Sequence, residues 1–94
     1  MTNSFEPIFE ECDIEESKGN TKDAKAIYLE LKEEYPHEVA VIRRLFQFHR
    51  RNRFYQDAEN LMLEILEGDL VEQDKIFILK EYLDAKLSVR YSLF

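Results

Sequence analysis

A self-similarity at 34 residues constrains the fold of this chain more than any other feature of its sequence. When the chain is shifted by that distance, Asp23-Ala24 falls on Asp57-Ala58. The apolar positions that follow also coincide, in the pairs Ile27 and Leu61, Tyr28 and Met62, and Leu31 and Ile65. Upstream, Ile8 falls on Ile42, and Ile42 in turn falls on Ile76, Leu45 on Leu79 and Phe48 on Tyr82. A period of this length accommodates two helices and the turns that join them.

Helix-breaking residues divide each period. Gly19 ends the first helix, since glycine tolerates the left-handed C-cap conformation, and Asn20 or Thr21 is placed to cap the second. Pro36 ends the second helix, because the residue before a proline is pushed out of the α region. We therefore predict five helices, at about 7–18, 21–35, 37–52, 55–67 and 71–88.

Short connections favour antiparallel packing of consecutive helices. The predicted fold class is all-α, with antiparallel helix–turn–helix repeats of the tetratricopeptide type that form an α-solenoid of about two and a half units. Residues 1–94 form one such segment. Ala24 and Ala58 fit close helix crossings, where a larger side chain would force the two axes apart.

The central segment concentrates the basic charge of an acidic chain. The net charge is −7, yet residues 39–55 contain five arginines and no acidic residue. On a helical wheel the third helix has one apolar half, formed by Val39, Val41, Ile42, Leu45, Phe46 and Phe48 with His49. The opposite arc carries the candidate partner-binding residues, here called the arginine stripe: Arg43, Arg44, Gln47, Arg50 and Arg51.

Two interpretations of the arginine stripe stay open. The stripe either pairs with acidic residues of the second and fourth helices, or it docks an acidic protein segment or an RNA backbone. The planar guanidinium fork can bind either carboxylate or phosphate bidentately. Direct RNA binding is not expected, because the flanking acidic helices would repel phosphate. The acidic residues available for pairing are Glu30, Glu34, Glu59 and Glu64.

The C-terminal end is unusually apolar for the end of a repeat array, which needs a polar cap for solubility. We expect either that the array continues in a longer protein or that a partner covers this end in a homodimer or heterodimer, and we favour the first. The candidate apolar interface comprises Tyr82, Leu87, Tyr91, Leu93 and Phe94.

The chemical inventory predicts no enzyme, no cofactor and no metal site. His37 and His49 lack a second cysteine for a zinc site, and Cys12 is best interpreted as a buried structural thiol. Only two glycines are present, too few for a phosphate-binding loop. The acidic run from Glu10 to Glu16 lies on a predicted helix and is interpreted as a solvated face. With no signal peptide and no membrane-spanning run, we expect a soluble intracellular protein.

A known repeat pattern is visible in the segment from Glu15 to Tyr28. An acidic helix end is followed by Gly19-Asn20, then by Ala24 and Ile27-Tyr28, and Tyr35-Pro36 closes the unit. This segment resembles the HAT (half-a-TPR) repeat of RNA-processing scaffolds. The stretch from Val41 to Glu59 is similar to the C-terminal HAT repeats of the pre-mRNA-processing factor 39 family. The resemblance covers about residues 8–67, and it departs from the pattern at Glu11, where an aromatic Trp is typical, and at Arg53, where Gly is usual.

The resemblance implies a nuclear, non-catalytic scaffold for protein–protein interaction in pre-mRNA splicing, associated with the U1 small nuclear ribonucleoprotein. Its partners would be other proteins, splicing-factor or U1 components among them. Family members dimerise through their HAT repeats. The alternative is a generic tetratricopeptide-like adaptor in the cytoplasm that binds acidic peptide segments through the arginine stripe.

Overall fold

The computed structural model describes the backbone of residues 5–92 and the side chains of residues 5–84. It contains five helices: α1 (Glu6–Ser17), α2 (Thr21–Glu34), α3 (Val39–Arg51), α4 (Tyr55–Glu67) and α5 (Glu72–Ser92). No strand occurs in this part of the chain. The all-α prediction is confirmed, and the main difference in bounds is that α5 runs to Ser92 rather than to residue 88.

The chain divides into two compact units, residues 1–48 and 49–94. In the first unit α1 and α2 pack as an antiparallel hairpin. The Phe5 ring, just before α1, meets the Tyr35 ring just after α2 at 5.1 Å between centroids, and Phe9 faces Tyr28 at 6.4 Å. Because later residues of α1 meet earlier residues of α2, the two helices run in opposite directions.

The second unit contains a hairpin of the same kind, formed by α4 and α5. The Lys75 ammonium donates a hydrogen bond to the Leu66 carbonyl at 3.1 Å. Farther from the turn, the Tyr82 hydroxyl donates to the Glu59 carboxylate at 3.4 Å. These two contacts, each between α4 and α5, place the helices antiparallel.

The repeat extends to the backbone of the turns. In the first turn the N–H of Gly19 donates to the carbonyl of Glu16 and that of Asn20 to the carbonyl of Glu15. In the second, the N–H of Arg53 donates to the Arg50 carbonyl and that of Phe54 to the His49 carbonyl. Both are Schellman motifs, which require a left-handed residue after the helix. The left-handed residues are Gly19 (φ 85°) and Arg53 (φ 62°), 34 positions apart.

Arg53 therefore holds a conformation that suits glycine, and Arg53→Gly should raise the free energy of unfolding by about 0.5–1 kcal/mol. Urea denaturation followed by circular dichroism measures the change. Arg53→Ala is the matched control, because it removes the same side chain and keeps the Cβ in the left-handed region. A gain in Arg53→Ala as large as that in Arg53→Gly would show that the arginine side chain, and not φ, is responsible.

The helices α2 and α4 bury the same repeat positions. Ala24 and Ala58 are buried, as are Tyr28 and Met62. Leu29 and Leu63, which are also 34 positions apart, are both exposed. The burial of both alanines agrees with their predicted place at a close crossing.

Capping of α2 differs from the predicted arrangement. Asn20 is the N-cap residue, but its side chain makes no capping hydrogen bond. Its amide Nδ2 donates instead to the Glu15 carboxylate at 2.9 Å. The Schellman turn fixes the backbone of Asn20. The side-chain amide of Asn20 is directed back toward α1.

Candidate interaction surfaces

The apolar half of α3 is buried, in agreement with the helical wheel. Val41, Ile42, Leu45, Phe46 and Phe48 are buried, while Val39 is half-buried. His49 is buried as well, and its ring meets Phe54 at 6.3 Å in an edge-on arrangement. Its position agrees with the interpretation of His49 as a packing residue.

The arginine stripe is less exposed than a solvated face would be. Arg51 is exposed, whereas its other members, Arg43, Arg44, Gln47 and Arg50, are half-buried. Arginine stems cover apolar surface while the charged group stays near water. The residues of this stripe therefore contribute to packing as well as to the surface charge.

Arg44 shows this double role most clearly. Its guanidinium carbon lies 4.7 Å from the centroid of the Phe9 ring, and Nη1 lies 3.7 Å from Asp13 Oδ1. Asp13 belongs to α1, not to α2 or α4, where the predicted acidic partners Glu30, Glu34, Glu59 and Glu64 lie. For Arg44 that prediction of the partner is wrong. The aromatic face of Phe9 attracts the cation, and Asp13 lies one helical turn farther along the same helix.

Cys12 lies in the interior of the first unit and is fully buried. Burial raises the pKa of the thiol to about 11, and the nearby Asp13 and Glu11 carboxylates act in the same direction. A hydrogen bond with Tyr28 and the charge of Arg44 oppose that rise in pKa. The thiol stays protonated at neutral pH and lacks the lowered pKa of a nucleophilic cysteine.

The acidic run on α1 is spread along the helix surface. Glu10, Glu11 and Asp13 are exposed, and Glu15 and Glu16 are half-buried. No cluster of three or more His, Cys, Asp or Glu side chains suited to a metal ion occurs among the described residues.

Several apolar side chains of the second unit are exposed. They include Leu63 and Leu66 on α4, Val71 before α5, and Ile76, Phe77 and Leu83 on α5. Of the predicted apolar interface, Tyr82 is half-buried and bonded to Glu59. The side chains of Leu87, Tyr91, Leu93 and Phe94 lie outside the described residues. The sequence prediction omitted Ile76, although its alignment with Ile42 marks it as an apolar repeat position.

Within the described part of the chain, no helix has the length and apolar character needed to cross a bilayer. Comparison of the chain with protein-family models, with curated proteins and with solved structures gives no significant match. The resemblance to HAT repeats therefore stays a prediction from the sequence. The 34-residue repeat of turn and buried helix face is the observation that supports a functional proposal.

Proposed function

We propose that this chain is a non-catalytic helical-repeat segment that binds other proteins, and that it does so in the nucleus as a scaffold of pre-mRNA splicing associated with the U1 small nuclear ribonucleoprotein. The observation that carries the interaction role is the recurrence of one turn and one buried helix face. The left-handed Gly19 and Arg53 and the buried Ala24 and Ala58 mark that recurrence. Helical repeats present extended surfaces that bind macromolecules.

The splicing assignment has narrower support, from the HAT-like residues Gly19-Asn20, Ala24, Ile27-Tyr28 and Tyr35-Pro36. A second candidate function is an adaptor outside the nucleus that binds acidic peptides. The five arginines of residues 39–55, with no acid among them, favour that candidate. Arg51 is the exposed member of the arginine stripe.

Both candidates are tested by retention of proteins on the immobilised full chain from nuclear and from cytosolic extract. We expect U1 RNA and its proteins to be retained from the nuclear extract. Arg50→Gln with Arg51→Gln should lower retention about fivefold, from the loss of two charge contacts of about 0.5 kcal/mol each, one at the half-buried Arg50 and one at the exposed Arg51. Lys18→Gln with Lys22→Gln is the matched control, since it removes the same charge from exposed positions of the first unit.

Arg44 is left unchanged in this test, because its contacts with Phe9 and Asp13 would mix stability with binding. If proteins are retained from the cytosolic extract only, and the arginine variant loses that retention, the adaptor outside the nucleus replaces the splicing scaffold as the function of this chain. No retention above the bare matrix from either extract would refute both candidates.

A further inference from the structure

The α5 helix exposes positions whose repeat equivalents are buried on α3. The 34-residue shift places Ile42 on Ile76 and His49 on Leu83. Ile42 is 0% exposed and His49 3%, whereas Ile76 is 59% exposed and Leu83 56%. Leu79, the equivalent of the buried Leu45, is half-buried. We call Ile76, Leu79 and Leu83 the α5 stripe.

The two exposed members of the α5 stripe, Ile76 and Leu83, lie away from the contact between α4 and α5. Residues at i, i+3 and i+7 follow one line along a helix, so the three members are neighbours on the surface of α5. The contact with α4 is made by Lys75 and Tyr82, which lie about 80–120° around the helix from Ile76 and Leu83 at 100° per residue. The half-buried Leu79 lies between these two lines. Ile78, which is buried, lies about 160° around the helix from Ile76 at 100° per residue. The stripe is therefore a second apolar face of α5.

The hairpin that carries this face is strongly acidic. Residues 55–84 contain nine acidic residues and two lysines, Lys75 and Lys80. Lys75 is engaged with the Leu66 carbonyl. The exposed acidic residues of the hairpin are Glu59, Glu64, Glu67, Asp69, Glu72 and Asp84. Lys80 is exposed beside the stripe, four positions after Ile76 and three before Leu83, but the exposed acidic residues of the hairpin outnumber it. An apolar line on an acidic hairpin is complementary to an apolar line flanked by basic residues.

We propose that the α5 stripe docks an amphipathic helix of a partner protein, with apolar residues at i, i+3, i+4 and i+7 and with Lys or Arg on its flanks. This inference rests on the proposed protein-binding function and specifies the class of partner. A helix laid along an apolar face is an established mode of peptide recognition. A second copy of this chain is disfavoured as the occupant, because it carries the same acidic hairpin and a net charge of −7.

The test uses the full chain and a labelled synthetic helix of about 18 residues, five turns long, with Leu at the stated spacing and Lys on the flanks. Fluorescence anisotropy measures its affinity. Ile76→Ser with Leu83→Ser should weaken binding about tenfold or more, since two apolar contacts are lost. Val71→Ser with Phe77→Ser is the matched control and should change the affinity by no more than about twofold. These two residues are exposed to a similar degree but lie off the stripe.

Circular dichroism checks that each variant keeps its helix content, and Ile76→Ala with Leu83→Ala replaces the serine pair if folding is affected. A peptide with Glu in place of every Lys should bind about tenfold more weakly, and raised salt should narrow that difference. Equal binding of the acidic and basic peptides, or an equal loss in the two double variants, would overturn the proposal.

Sedimentation of the chain alone distinguishes the other occupant. Concentration-dependent dimers that disappear in Ile76→Ser with Leu83→Ser would assign the α5 stripe to a second copy and overturn the basic-helix proposal. If the peptide does not bind to the α5 stripe but proteins are still retained from extract, the proposed function is unaffected. That retention is measured separately and depends on Arg50 and Arg51 of α3. If the peptide binds but no protein is retained from either extract, the proposed function is contradicted instead.

Discussion

Replacing Phe48 by Ala should lower the free energy of unfolding by about 3–5 kcal/mol, the usual cost of removing a fully buried aromatic ring. Phe48 is fully buried and stacks on Tyr28, with ring centroids 5.0 Å apart and planes 30° apart. Tyr28 is fully buried too and meets Phe9 on α1 at 6.4 Å. The ring of Phe48 thus supports the aromatic cluster that joins α1, α2 and α3 in the first unit.

That loss is large for a chain of this size, whose total stability should be about 5–14 kcal/mol. Urea denaturation followed at 222 nm measures it, with Phe77→Ala as the matched control. Phe77 is half exposed, so its truncation should cost about 0.5 kcal/mol or less. If Phe48→Ala does not fold, Phe48→Leu retains most of the volume and should cost about 1–1.5 kcal/mol. A cost for Phe48→Ala below about 1 kcal/mol would contradict the stacked, buried ring.

The sequence predicts the faces of α2 and α4 well, because each of these helices packs against a neighbour within its own hairpin. Their apolar positions recur at the same spacing, and Ala24 and Ala58 are buried together with Tyr28 and Met62. Local pattern and turn chemistry suffice to place such residues. The all-α class follows from the same signals.

Burial on the face of α5 that points away from α4 is harder to predict, because it depends on what lies beyond the hairpin. Ile42 and Ile76 occupy one repeat position, yet the first is buried and the second exposed. A wheel also separates charged from apolar residues without showing that Arg44 rests on Phe9. That contact needs the three-dimensional neighbour, and nothing in the spacing of α3 identifies an aromatic ring on α1.

The turn at Arg53 could be located from the sequence, but its conformation could not. The repeat aligns Arg53 with Gly19, and a non-glycine residue with positive φ is uncommon. A different turn would have been the ordinary expectation. The structure shows that the Schellman hydrogen bonds are kept and that Arg53 adopts φ 62°. The geometry of the repeat therefore outweighs the local preference of this residue.

Ala24→Leu should destabilise the chain by about 1–3 kcal/mol, because a well-packed crossing has no room for three more carbon atoms. Ala24 is fully buried on α2, which packs against α1. Alanine and leucine have similar helix propensities, so the substitution changes packing while leaving the intrinsic preference for helix nearly constant. Ala58→Leu should have an effect of the same sign, since Ala58 is the buried equivalent on α4.

Ala26→Leu is the matched control, because Ala26 lies two positions along the same helix and is exposed. Its effect on thermal unfolding should stay within about 0.5 kcal/mol. A melting temperature lowered in Ala24→Leu and unchanged in Ala26→Leu would show that the loss comes from the helix crossing rather than from the substitution itself. Equal melting temperatures would mean that α1 and α2 do not approach closely at Ala24. Close helix packing would then not explain why alanine recurs at this repeat position, and the proposal of a helical-repeat scaffold would lose its structural basis.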